Sequence, residues 1–167
     1  LVEWCCGPDS RLGQDSFRGN CEVLRITEKD DAGTKFARQR ALRWLKRGGD
    51  TNGMVWISLP CTGGSPFQSV NKLKPGGIAR LHKHWRVFRR LWIQTRLLID
   101  EAVAAGFTVA LEWPSGCAYW KWKEVHDVLT RHGLRKARCN GCALGLKGDQ
   151  GLPIYKPWSV ATNSPCL

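Results

Sequence analysis

Acidic side chains are scarce in this chain. Over 167 residues, 14 Asp and Glu stand against 26 Lys and Arg, for a formal net charge of +12 and an isoelectric point near 9.7. That imbalance argues against a polycationic partner and for a polyanionic one, with nucleic acid the first candidate. No apolar run approaches the roughly 20 residues of a membrane-spanning helix, and no signal peptide is visible. The GxGxxG dinucleotide fingerprint and the GKS of a phosphate-binding P-loop are both missing, which argues against the standard forms of those sites. There are no internal repeats and no low-complexity linkers. The chain opens on Leu rather than Met, so a piece of a longer protein is expected, with other domains of that parent as partners. The expected compartment is intracellular, the nucleus in a eukaryotic cell.

What is present suits one domain over residues 1–167, large enough for a core of its own. Eight cysteines occur, but the chain is neither short nor loop-rich, and Cys5-Cys6 sits in a strand-like run. Free thiols in a reducing compartment are the better reading. Cys139-Asn140-Gly141-Cys142 has metal-ligand spacing, with Cys117, His126 and His132 as further candidates. Without a second pair it reads as a turn beside a strand, and no metal is expected.

Apolar runs predict strands at 1–6, 21–27, 54–59, 107–112 and 134–144, and an extended edge strand or hairpin arm near 153–162. Helices are predicted at 33–47, 78–105 and 118–132, with a helix or loop at 9–18. Strands alternating with helices give an α/β fold, Rossmann-like, with a mostly parallel sheet and helices on both faces. No clear strand lies between the helix ending near residue 47 and the strand opening at Met54. In the long helix, Leu81, Trp85, Phe88, Trp92, Thr95, Ile99 and Ala102 recur at spacings of three and four. Arg80, Lys83, Arg86, Arg89, Arg90 and Arg96 occupy the rest, a basic face suited to phosphates. Among nine tryptophans, Trp113 and then Trp158 are candidates to stack on a base.

Chemistry gathers where strands end, the edge at which open α/β sheets bind ligands. The first strand runs into Cys6-Gly7-Pro8-Asp9-Ser10, a turn suited to a nucleotide-like cofactor. The second ends at Glu28, a carboxylate suited to a ribose diol. The third ends in Pro60-Cys61-Thr62-Gly63-Gly64-Ser65, a thiol followed by two glycines that let backbone approach a substrate. The fourth ends in Glu112-Trp113-Pro114.

That order of a Gly turn, an acid, a Pro-Cys loop and a strand-end Glu resembles the catalytic domain of cytosine-5 DNA methyltransferases, over roughly residues 1–120. The family's loop commonly reads Pro-Cys-x-Gly-x-Ser. The resemblance implies a compact S-adenosylmethionine (SAM)-dependent methyltransferase fold, with SAM as cofactor and DNA, ahead of RNA, as partner. Cys61 becomes the nucleophile and Glu112 the carboxyl that meets the ring N3. Cys6, Gly7, Pro8, Ser10, Glu28 and Pro60 fall on the cofactor side, with Asp50 standing in for the acid that reads the adenine. Ser65, Lys72, Lys74, Arg80, Lys83, Arg86, Trp113 and Arg138 fall on the nucleic-acid side, Arg138 within a loose substitute for the family's Gln-x-Arg-x-Arg. Trp113 replaces the Asn that follows the family's Glu. Two other readings stay open: a binding module of the same fold without catalysis, and an amino-methyltransferase that does not use Cys61. The loop around Cys61 is also expected to lower its thiol pKa through free backbone N–H groups and nearby cations.

Overall fold

The computed structural model describes residues 1–10, 12, 21–47 and 53–165. Six strands form one sheet: β1 (Val2–Trp4), β2 (Leu24–Ile26), β3 (Met54–Ile57), β4 (Thr108–Pro114), β5 (Arg135–Asn140) and β6 (Pro157–Thr162). Four helices accompany them: α1 (Lys35–Arg47), α2 (Gln68–Asn71), α3 (Gly77–Ala104) and α4 (Lys123–Arg131). The short α2 lies between β3 and α3, where no helix is predicted. The spatial strand order is β2-β1-β3-β4-β6-β5. The first four strands of that row are parallel, while β6 runs antiparallel to both β4 and β5. The architecture is therefore α/β with a mostly parallel mixed sheet.

One sequence reading changes in part here. The last extended segment is not an edge strand: β6 lies between β4 and β5, and it is the second arm of an antiparallel hairpin with β5. Pro157 is its first residue, a position where a missing N–H breaks no ladder bond. The described helices pack on one face, and most of the segment read as helix or loop at 9–18 lies outside the described residues. The core joins Val2, Trp4, Val55, Ile57, Val109, Leu111 and Trp113 to Ala41 and Leu45 of α1, Phe88, Trp92 and Ile99 of α3, and Val125 and Leu129 of α4. Those strand residues all share one side of the pleat. The reason is handedness. The connections β2→β3, β3→β4 and β4→β5 all advance the same way across the sheet, and right-handed crossovers put all three on one face. The β1→β2 connection advances the other way. Its first residues lie on the opposite side, where Arg25 donates to the carbonyls of Pro8 and Ser10 at 2.7 Å each.

That opposite side carries Glu3, Arg25, Trp56, Ala110, Glu112, Val160 and Ala137 in register across the strands. None of these is part of the main core. α3 follows its predicted period closely. Leu81, Phe88, Trp92, Thr95, Ile99 and Ala102 are buried, and Trp85 is half-buried. No helix among the described residues is long and apolar enough to cross a membrane.

Candidate functional site

The order β2-β1-β3 reverses direction at β1, and a crevice opens outside the carboxyl ends of the strands at such a reversal. A cleft of ≈ 430 Å³ lies there, lined by Cys5, Cys6, Gly7, Pro8, Thr27, Glu28, Asp31, Pro60 and Arg90, among others. β1 ends at Trp4 because Cys5 turns left-handed, at φ 61°, a backbone region costly for a non-glycine residue. The turn is then held by Cys6 N–H donating to the Ile26 carbonyl and Ser10 N–H to that of Gly7. A Cβ on Gly7 would meet nothing within 4 Å, so that backbone faces open space. Glu28 is exposed and its carboxylate has no partner among the described residues. Asp31, by contrast, is engaged: Arg90 donates to it at 2.8 Å and holds its carboxyl below the usual range.

Five residues read as cofactor-binding therefore come together: Cys6, Gly7, Pro8, Glu28 and Pro60. Ser10 meets Cys6, Gly7 and Pro8 in an adjoining cleft. Its hydroxyl is bonded to the buried Glu3, and Glu3, Leu12 and Trp56 line the same cleft. Asp50 lies outside the described residues. Burial pushes the Cys5 thiol up to about 12, and burial followed by the Glu3 charge raises Cys6.

On the other side of Pro60, a second cavity of ≈ 500 Å³ is lined by Trp56, Leu59, Cys61, Glu112, Trp113, Pro114, Cys139, Leu144, Lys156, Trp158 and Val160. It brings the thiol from the end of β3 to the carboxyl on β4. Register explains the rest of the wall. Glu112 pairs with Val160, Pro114 with Trp158, and Trp158 with Cys139, so these side chains share one side of the sheet. Burial pushes the Glu112 carboxyl above the ordinary range, and Lys156 pulls it partly back.

Cys61 departs from expectation. Burial raises its thiol pKa; its own backbone N–H and Lys156 lower it less than burial and the Glu112 carboxylate raise it. Two of the loop N–H groups expected to help are already engaged, with Gly64 N–H donating to the Cys61 carbonyl and Ser65 N–H to that of Thr62. The glycines do not face a substrate either. Both are buried, and a Cβ on Gly64 would lie 2.6 Å from the Cys117 sulfur and 3.0 Å from the Tyr119 ring. They let the turn pack inward, where Trp85 Nε1–H donates to the Gly63 carbonyl at 2.9 Å.

One residue read as a nucleic-acid contact is corrected. Trp113 is only 1% exposed and packs on Phe88, Tyr119 and Trp120. Its indole N–H donates to the Leu59 carbonyl at 2.8 Å, so it anchors the approach to Cys61 and has no free face for a base. Arg138 is exposed and pairs in register with Ser159, on the side of the sheet away from Glu112. The cation that lines the cavity is Lys156, whose ammonium lies 4.9 Å from the centre of the Trp158 ring. Lys72, Lys74, Arg80, Lys83 and Arg86 are exposed. Ser65 is half-buried, and its hydroxyl accepts the Phe67 N–H at 3.3 Å. Cys139 and Cys142 are half-buried and free, and no three His, Cys, Asp or Glu side chains gather around a metal position among the described residues.

Comparison with protein-family models, with curated proteins and with solved structures finds no match to this chain.

Proposed function

We propose that this chain is a SAM-dependent methyltransferase acting on carbon 5 of cytosine in nucleic acid, on a Rossmann-like sheet. One observation carries the reading: Cys61 and Glu112 line a single cavity whose neighbour across Pro60 is the switch-point cleft holding Gly7 and Glu28. A thiol and a carboxyl facing one planar ring, beside a nucleotide-sized cleft, is what the resemblance requires. The residues fit SAM: Glu28 offers an unpaired carboxylate for a ribose diol, and the Gly7 turn is open to backbone approach.

The reaction then follows from this chain's own groups. Cys61, as thiolate, bonds to C6 of the ring, and the electron pair displaced from the C5–C6 double bond leaves C5 nucleophilic. Glu112 meets N3 with a hydrogen bond as charge develops there. Its raised pKa keeps the carboxyl protonated to higher pH than an exposed Glu, which suits a donor. SAM supplies the methyl on a sulfonium, a group ready to leave its sulfur for C5. Loss of the C5 proton re-forms the double bond and expels the Cys61 thiolate. A ring in a duplex must first leave the stack, at a cost of a few kcal/mol.

The raised Cys61 thiol favours a second reading, a binding module of this fold without catalysis. Covalent trapping separates the two. With an oligonucleotide carrying 5-fluorocytosine and SAM present, C5 cannot lose a proton, so the first reading expects a stable protein–DNA adduct. Cys61→Ser abolishes it and Glu112→Gln slows it strongly. Methyl transfer that survives Cys61→Ser would point to the amino-methyltransferase instead. SAM binding by calorimetry that Glu28→Ala weakens, with no adduct formed, leaves the non-catalytic module.

A further inference from the structure

Between Asp50 and Asp100 the chain holds no acidic residue and eight Lys or Arg. Within that stretch the segment following Cys61 has a feature the fold does not explain. Phe67, Val70, Leu73 and Ile78 are exposed at 76%, 58%, 80% and 59%, and α2, which carries Val70, buries none of its residues. The spacing of Phe67, Val70 and Leu73 by three, through a helix and its flanking turns, gives them a common side. The segment is nonetheless built. Gln68 Nε2 donates to the Thr62 carbonyl at 2.8 Å, and Gly77 N–H donates to that of Lys74 at 2.8 Å. A Cβ on Gly77 would collide with the Asn71 carbonyl, so α2 sits directly against the start of α3. Side chains this large, this exposed and this close together mark a contact surface.

Lys72 and Lys74 alternate with these apolar residues, and Arg80, Lys83 and Arg86 continue the positive charge along α3. All five are exposed, and none has a carboxylate partner among the described residues. The partner must therefore offer dense negative charge and apolar surface at the same place. A duplex does not: its phosphates face outward while its base faces are stacked away. An unpaired strand offers both, phosphates beside open base faces.

We propose that the Phe67–Arg86 surface binds single-stranded nucleic acid, with Phe67, Val70, Leu73 and Ile78 against unstacked bases and Lys72, Lys74, Arg80 and Lys83 on phosphates. This rests on the function proposed above and names its substrate as an unpaired strand. The surface is continuous in the chain with the Pro60–Ser65 loop, so a strand lying on it can deliver an already unstacked base to the Cys61 cavity.

The test uses the Cys61→Ser protein, so that no covalent adduct contributes, and a fluorescein-labelled 16-nucleotide DNA read by anisotropy, single-stranded and as its duplex, at 0.05–0.3 M salt. Single strand should bind at least tenfold tighter than duplex. F67S/L73S should weaken single-strand binding about tenfold and leave the log–log salt slope unchanged. K72E/K74E should weaken both forms and flatten the slope, because each lost phosphate contact removes a released counterion. Duplex binding as tight as single-strand binding, or no effect of F67S/L73S, overturns the proposal. So does binding to phosphatidylserine-containing vesicles, lost in F67S/L73S, with no single-strand binding. Failure of the methyltransferase reading shows elsewhere, as a missing 5-fluorocytosine adduct in the Cys61 protein.

Discussion

The two sides of the sheet are built on different physics. On the helix side, Phe88, Trp92, Trp113, Tyr119 and Trp120 stack at centroid distances of 3.9–6.4 Å, and almost every strand residue is buried there. On the other side, Trp56 and Glu112 are only half-buried and both clefts along Trp56 stay open. The helix side supplies rigidity and the other side leaves room around Glu112, while the cleft at the strand ends also meets Val87, Arg90 and Leu91 of α3. Trp113 and Glu112, neighbours in β4, point to opposite sides, so one strand fixes the catalytic candidate from behind and presents it in front.

The sharpest way to break that comparison is to truncate both indoles. Trp113→Ala should cost about 3–5 kcal/mol, the usual range for removing a buried aromatic, and should also free the Leu59 carbonyl and loosen the approach to Cys61. Trp56→Ala, on the open side, should cost well under half as much. Chemical denaturation of both variants measures the difference, and equal losses would mean that the open side is as much core as the other.

A smaller loss is expected at the turn. Gly64→Ala puts a methyl against Cys117 and Tyr119, and overpacking of this kind costs about 1–3 kcal/mol. Thermal melts read it directly. If Gly64→Ala melts like the parent protein while altering ligand binding, the glycine faces a ligand and the packing account is wrong.

How far the sequence carried these points depends on the range of the signal. Glu112 and Cys61 were legible because each ends an apolar strand, and strand ends in an α/β sheet converge. The buried face of α3 was legible because its period is local. The inward packing of Gly63 and Gly64 was not, since composition cannot say which neighbour a glycine makes room for. Lys156 was invisible for a different reason. It reaches the cavity only because β6 inserts between β4 and β5, and Pro157 made that strand look like an edge. The side of the sheet that Arg138 takes was equally hidden, because it depends on register.

Lys156 gives the next prediction. It is the cation that offsets burial at both Cys61 and Glu112. Lys156→Met should slow iodoacetamide alkylation of Cys61 severalfold at pH 8, by shifting the thiol's titration upward, and Lys156→Arg should restore it. The rate of the parent protein should still be climbing at pH 9, since the thiol already sits above its ordinary value. An unchanged pH profile in Lys156→Met would remove Lys156 from the site's electrostatics and return the cation's place to some other group.

The smallest effect expected concerns Glu112 and runs against the usual direction of mutation. Its folded-state pKa is raised, chiefly by burial, so the carboxylate form is disfavoured in the fold. Below the unfolded value the group is protonated in both states and costs nothing. As pH rises from there to the folded value, the unfolded chain releases its proton first, and stability falls across that window before levelling off. Glu112→Gln keeps the shape and removes the charge, so at pH 7 it should raise Tm slightly. At pH 4 the gain should vanish. The helix side offers no such gain, because no Asp or Glu is buried there among the described residues. A Tm that falls at pH 7, or a gain that persists unchanged at pH 4, would show that Glu112 supports the fold through contacts of its carboxylate and is not held there against the preference of the charge.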